Sequence, residues 1–95
     1  MRKIDEEDIH KAVAWLRDTA QHCAEARATR LYLDAFTKSL KAILMSKYNE
    51  LPISAQEREA YSDDEYVKHL KALRIAVERD EKNRYLRESA MVKIE

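Results

Sequence analysis

Apolar side chains recur at intervals of four and three residues along the first half of the chain, the spacing of a helix that packs on another helix. The stripe comprises Ile9, Val13, Leu16, Ala20 and Cys23. After Cys23 the apolar positions drift out of this spacing, which predicts a stutter that changes the supercoil locally. The pattern predicts a helix over residues 5–48.

The last third of the chain carries the most regular spacing. Its positions are Tyr66, Leu70, Leu73, Val77, Asp80, Arg84, Arg87, Met91 and Ile94. A weaker neighbouring stripe contains Ala76, Asn83, Leu86 and Ala90. This pattern predicts a second long helix over residues 63–94.

The first helix carries a clear start signal. Asp5 is a good N-cap with Asp8 at the N3 position, and Ile4 and Ile9 have the spacing of a hydrophobic staple. We therefore expect the helix to begin at Asp5.

Between the two long patterns, residues 49–62 hold the only proline of a chain that has no glycine. Pro52 disfavours helix at the residue before it, so the first helix should end near residue 48. Ser54 and Glu57 match a capping box, which predicts a short helix from Ala55 to about Ala60.

A second capping box follows within a few residues. Ser62 and Glu65 form its pair, and Tyr61 and Tyr66 have the spacing of a staple. The chain is therefore expected to turn twice, with the short helix lying across the end of the hairpin.

Together these elements predict an all-α fold, in which residues 1–95 form one antiparallel helical hairpin with coiled-coil-like packing. Two helices bury only one seam, and so thin a core is often too weak alone. We therefore expect a homodimer.

Charged residues interrupt both long patterns at one height of the predicted hairpin. Folding back about residues 49–62 brings Arg27, Arg30 and Asp34 level with Asp80 and Arg84, which predicts the pairs Arg30–Asp80 and Asp34–Arg84. Such a layer can fix the register of packed helices. The alternative interpretation is that these charged residues, together with Arg87, form a ligand or phosphate site.

Charge balance argues against a dedicated nucleic-acid protein, because the chain has 18 basic and 18 acidic residues without a clustered basic excess. The alternative is a DNA-binding or recombination accessory factor. It would use the central arginines and the tyrosines that could stack on bases, Tyr32, Tyr48, Tyr61, Tyr66 and Tyr85.

No residue pattern favours catalysis. Glu7 and His10 match half of a di-metal motif that needs four helices, so a solvated first turn is preferred. His22 and Cys23 are adjacent and cannot face each other on a helix. We expect no enzyme activity, no metal and no cofactor.

Single Cys23 cannot form an intrachain disulfide, which fits a reducing compartment. The first residues lack an apolar signal region, and no run of residues has membrane-spanning length. A soluble, cytoplasmic protein with no membrane partner is expected.

Three segments, residues 11–18, 38–45 and 54–61, together resemble small helical proteins encoded by phages and prophages, some near recombination genes. The resemblance spans most of the chain and implies an accessory or interaction protein, without catalytic residues. We therefore expect a non-enzymatic protein that self-associates and binds another macromolecule through its helical surface. A contact surface at the elbow is predicted at Gln56, Glu57, Arg58 and Tyr61.

Overall fold

The computed structural model describes residues 5–95, whose regular elements are all helical. They are α1 (Glu6–Met45), a 3-10 turn (Ser46–Tyr48), α2 (Ile53–Ser62) and α3 (Asp64–Ile94). α1 and α3 pack on each other in an elongated molecule of 67 × 26 × 18 Å. Contacts of Leu16 with Arg87 and of Thr37 with His69 show the antiparallel arrangement. The predicted all-α helical hairpin is confirmed.

α1 begins as its sequence predicts. The Asp5 carboxylate accepts a hydrogen bond from the backbone N–H of Asp8 at 2.9 Å, and the Asp8 carboxylate accepts one from the N–H of Asp5 at 3.5 Å. The reciprocal bonds satisfy N–H groups that a helix start leaves without partners. The predicted staple involves Ile4, which lies outside the described residues.

The side chains between α1 and α3 follow an unbroken four-three spacing on both helices. We call these positions the inner stripe. On α1 they are Ala12, Leu16, Thr19, Cys23, Ala26, Arg30, Leu33, Thr37, Leu40 and Leu44, and on α3 they are Tyr66, His69, Leu73, Ala76, Asp80, Asn83, Arg87 and Ala90. All are buried or half-buried. The predicted stutter after Cys23 is therefore wrong, because the small Ala26 and the long stem of Arg30 keep the spacing.

The stripes predicted from the sequence combined positions of the inner stripe with positions on its exposed edge. Val13, Leu70 and Met91 are 45%, 43% and 49% exposed, whereas Ala76 and Ala90 are buried. The distance between helix axes depends on the side chains at the contact, and small side chains allow closer approach. The alanines therefore occupy the contact, and larger apolar residues lie beside it.

The apolar core is concentrated at the elbow end. Leu40, Leu44, Ala60 and Tyr66 form one cluster, and Phe36 and Met45 pack against it. Leu44 is the only large side chain among residues 5–95 that is fully buried. Away from this cluster, the inner stripe consists mainly of small and polar residues, so α1 and α3 share little apolar contact there.

The first predicted capping box is wrong. α2 begins at Ile53 with Pro52 as its N-cap, and no side chain caps it. Ser54 thus lies inside the first turn. Glu57, the other half of the box, is instead 3.8 Å from the ammonium of Lys41 on α1. This ion pair turns Glu57 toward α1 and away from the start of its own helix.

The second predicted capping box is also wrong, by one residue. Asp63 caps α3 and accepts a hydrogen bond from the N–H of Glu65 at 2.8 Å. The hydroxyl of Ser62 donates to carbonyl oxygens within α2. Asp63 also pairs with Lys47, which favours it as the cap. The predicted contact of Tyr61 with Tyr66 is confirmed, with ring centroids 5.4 Å apart.

Candidate interaction surface

A charged layer joins α1 to α3 near the middle of the hairpin. Arg30 Nη1 donates to Asp80 Oδ2 at 3.1 Å and to Glu81 Oε1 at 2.9 Å. Asp80 is buried, and Arg30 is half-buried. The predicted Arg30–Asp80 pair is confirmed. Glu81 was not predicted, although its spacing of three residues from Arg84 is a recognisable helical pair.

Glu81 is held from both sides, because Arg84 also donates to it, at 2.7 and 2.9 Å. Hydrogen bonds from Arg30 and then Arg84 lower the pKa of Glu81 below its ordinary value. The same contacts with Glu81 raise the pKa of Arg30 and of Arg84. These residues form one network in which each charge has a counter-charge.

The predicted Asp34–Arg84 pair is wrong. Arg84 contacts Glu81 and Glu88, which lie three and four residues from it on the same helix. Neighbours at those spacings are within easy reach on a helix surface. Asp34 is exposed outside the inner stripe, and no ion pair within residues 5–95 includes it.

The other two predicted arginines lie beside the charged layer. Arg87 is half-buried and donates to the carbonyl oxygen of Leu16 at 3.4 Å, and Arg27 is exposed. Neither forms an ion pair within the part of the chain described. Both guanidinium groups are therefore available to an acidic ligand.

A cleft of about 410 Å³, which we call the central cleft, opens between α1 and α3 beside the charged layer. It is lined by Ala20, Cys23, Ala24, Arg27, Asp80, Asn83, Arg84, Arg87, Glu88 and Met91. Asn83 is 9% exposed, and its Nδ2 has no hydrogen-bond partner among the described residues. Leaving a buried donor unpaired costs about 1–3 kcal/mol. Sequence reasoning placed Asn83 only in the weaker stripe and missed this feature.

A row of side chains follows the central cleft along one edge of the hairpin at intervals of one heptad. We call it the outer stripe. It comprises Val13, Ala20, Arg27 and Asp34 on α1, and Leu70, Val77, Arg84 and Met91 on α3. Val13, Leu70 and Met91 are each more than 40% exposed. The outer stripe is apolar near both ends and charged in the middle.

The tyrosines do not form one platform for bases. Tyr32 stacks on Phe36 with centroids 6.0 Å apart, while Tyr61 and Tyr66 contact each other. Arg84 lies 4.8 Å from the ring centroid of Tyr85. These rings lie on different elements and already have neighbours, so they are not brought together as one stacking surface.

The predicted elbow surface is only partly exposed. Gln56 and Glu57 are half-buried; Gln56 Nε2 donates to the carbonyl of Leu51 at 2.8 Å, and Glu57 pairs with Lys41. Tyr61 is 49% exposed, and Arg58 is exposed. Two of the predicted residues thus hold the elbow together, and the other two remain available for contact.

The residues considered for metal or thiol chemistry lie apart. His10 is 3.9 Å from Glu6 on the exposed first turn, and Cys23 is buried in the inner stripe. Over residues 5–95, no group of three or more His, Cys, Asp or Glu side chains is arranged to hold a metal ion. The buried His69 is 2.8 Å from the Thr37 hydroxyl and contacts the edge of Phe36, so it belongs to the packing of the hairpin.

In the same described part, no helix is long and apolar enough to span a lipid bilayer. Comparison of the chain with protein families, characterised proteins and solved structures gives no match. The function is therefore inferred from the geometry of the outer stripe and the central cleft.

Proposed function

We propose that this chain is a non-enzymatic helical interaction protein that self-associates through the outer stripe and binds another macromolecule through its remaining helical surface. The observation that carries the proposal is the row of exposed apolar side chains beside a hairpin with a thin core. Leu70 and Met91 extend this row over most of the length of α3, and Val13 belongs to it on α1.

The composition of the core explains why association is favourable. Of the nine buried hydrophobic residues among those described, five are alanines: Ala12, Ala26, Ala60, Ala76 and Ala90. Burying a large aliphatic side chain contributes about 1.5–3 kcal/mol, far more than an alanine does. Covering the outer stripe would therefore bury additional apolar surface in the region where α1 and α3 have the least apolar contact with each other.

Exposed apolar side chains outside the outer stripe remain for a different partner. Tyr32, Ile75 and Tyr85 are 66%, 57% and 62% exposed. Aromatic residues are enriched at protein interfaces, which favours a protein as that partner. The resemblance to phage and prophage proteins, and the cytoplasmic location suggested by the lone Cys23, are consistent with such an accessory role and remain predictions.

Two adjacent substitutions test the self-association surface. Met91→Lys places a charge in the outer stripe, whereas Val92→Lys changes a neighbouring exposed residue that faces elsewhere on α3. Sedimentation velocity should show weaker association for Met91→Lys and wild-type association for Val92→Lys. Equal behaviour of the two variants would contradict the role of the outer stripe.

The second candidate, a DNA-binding or recombination accessory factor, draws support from Arg27 and Arg87, which have no carboxylate partner within residues 5–95. The engagement of Arg84 with Glu81 and Glu88 argues against it, as does the balanced charge. A mobility-shift assay at low salt with single-stranded and duplex DNA separates the candidates. Binding that is lost in Arg27→Ala/Arg87→Ala would favour this candidate, and absence of binding would remove it.

A further inference from the structure

We infer that the outer stripe receives a second copy of the chain in antiparallel orientation, with Asp34 of each copy entering the central cleft of the other. The inference rests on the proposed self-association. It adds the orientation of the two copies, their register, and the residue that completes each cleft.

The central cleft presents hydrogen-bond donors that lack acceptors. Asn83 Nδ2 is buried without a partner, and Arg27 and Arg87 have no carboxylate partner in the described chain. The two acidic residues that line the cleft are already engaged, Asp80 by Arg30 and Glu88 by Arg84. The group that the cleft lacks is therefore a carboxylate supplied from outside.

Asp34 has the position and charge to supply that carboxylate. Arg27 and Asp34 lie one heptad apart on the same edge of α1, with opposite charges, and both are exposed. A two-fold axis that passes midway between them, running across the hairpin, places α1 of the second copy antiparallel to α1 of the first. Each Arg27 then faces Asp34 of the other copy, and the stripe is complementary to itself.

The same axis brings together apolar residues of α3. Thr37 contacts His69 and Arg30 contacts Asp80, so the midpoint of Arg27 and Asp34 is level with the part of α3 between His69 and Asp80. The outer-stripe residues of this part are Leu70, which is 43% exposed, and the half-buried Val77. Leu70 of each copy would lie close to Val77 of the other, and both would leave water.

Charge reversal at the two positions tests the pairing. Arg27→Asp alone and Asp34→Arg alone place like charges together, so each variant should associate at least about tenfold more weakly than the wild type. An equimolar mixture of the two variants restores opposite charges at both contacts. Sedimentation velocity should therefore show that the mixture forms a heterodimer that neither variant forms alone.

Glu25→Arg is the matched control, because Glu25 is an exposed acidic residue of α1 outside the outer stripe. It should leave association unchanged. Circular dichroism should show wild-type helicity in all three variants, since each change is at an exposed position. Asn83→Leu provides an independent readout: it removes the donor that Asp34 would satisfy, and should weaken association while leaving the helicity intact.

The outcomes separate this inference from the proposed function. A wild-type chain that associates, with single variants that associate equally well, would overturn the antiparallel pairing and leave self-association standing. Single variants that weaken association without rescue in the mixture would also overturn it. A wild-type chain that remains monomeric would overturn both.

Discussion

The Arg30 guanidinium lies 3.1 Å from the Asp80 carboxylate and ties α1 to α3 where the inner stripe has few large apolar residues. The Asp80 side chain is 11% exposed, so the carboxylate is largely removed from water. A buried ion pair seldom adds net stability over an apolar pair, but it penalises packings in which one charge lacks its partner. The contact therefore explains how a hairpin with many small core residues keeps one register.

Replacing Arg30 should therefore harm the hairpin more than replacing the whole pair. Arg30→Met leaves the Asp80 carboxylate buried without its cation, whereas Arg30→Met/Asp80→Leu removes both charges. Denaturant unfolding should show the lower free energy of unfolding for the single variant. A double variant that is as unstable as the single one would show that the pair lies effectively in solvent.

Truncating the core at the elbow end should have the largest effect of any single aliphatic substitution. Leu44 is fully buried beside Ala60 and Tyr66, so Leu44→Ala should lower the free energy of unfolding by about 2–5 kcal/mol. The adjacent Ile43 is 52% exposed, and Ile43→Ala should change the free energy of unfolding by about 0.5 kcal/mol or less. Thermal unfolding of the two variants compares them directly, and similar losses would contradict the position of the core.

The start of α3 should depend on Asp63 and not on Ser62. The Asp63 carboxylate accepts the hydrogen bond from the N–H of Glu65, so Asp63→Ala should cost about 1 kcal/mol of stability. Ser62→Ala removes only hydroxyl bonds to carbonyls of α2 and should cost less. Urea unfolding measures both, and a larger loss in Ser62→Ala would restore the capping box expected from the sequence.

Acid should weaken the contact that Glu81 makes with Arg30 and Arg84. Because the folded-state pKa of Glu81 is lowered, its carboxylate stabilises the fold above its ordinary pKa, and this contribution is lost as the pH falls through the folded-state value. Unfolding curves of wild type and Glu81→Gln should thus differ at neutral pH, and the difference should shrink as the pH falls below the ordinary glutamate pKa of about 4.3. A difference that does not vary with pH would contradict the network.

The helices could be predicted from sequence because their signals are local. The Asp5 cap, the proline after α1 and the four-three spacing each act within a few residues, and the fold agrees with them. The capping boxes failed where two signals competed: Asp63 follows Ser62 directly, and Glu57 was drawn to Lys41 on another helix. Sequence spacing does not show which competing contact prevails.

The residues with which each helix faces the other were harder to predict, because side-chain size determines them as well as hydrophobicity. Hydrophobicity favours Leu70 and Met91 over Ala76 and Ala90, yet the close approach of α1 and α3 selects the alanines. The Arg30–Asp80 pair could be predicted because antiparallel folding fixes which residues are level. The lack of a hydrogen-bond partner for Asn83 Nδ2 could not be predicted, because it depends on the positions of all the neighbouring side chains.

Self-association of the unmodified chain can be measured as its molar mass in sedimentation equilibrium over a wide range of concentrations. The mass should rise from 11.2 kDa at high dilution toward twice that value, and the melting temperature should increase in parallel. A mass of 11.2 kDa at every concentration, with a constant melting temperature, would contradict self-association.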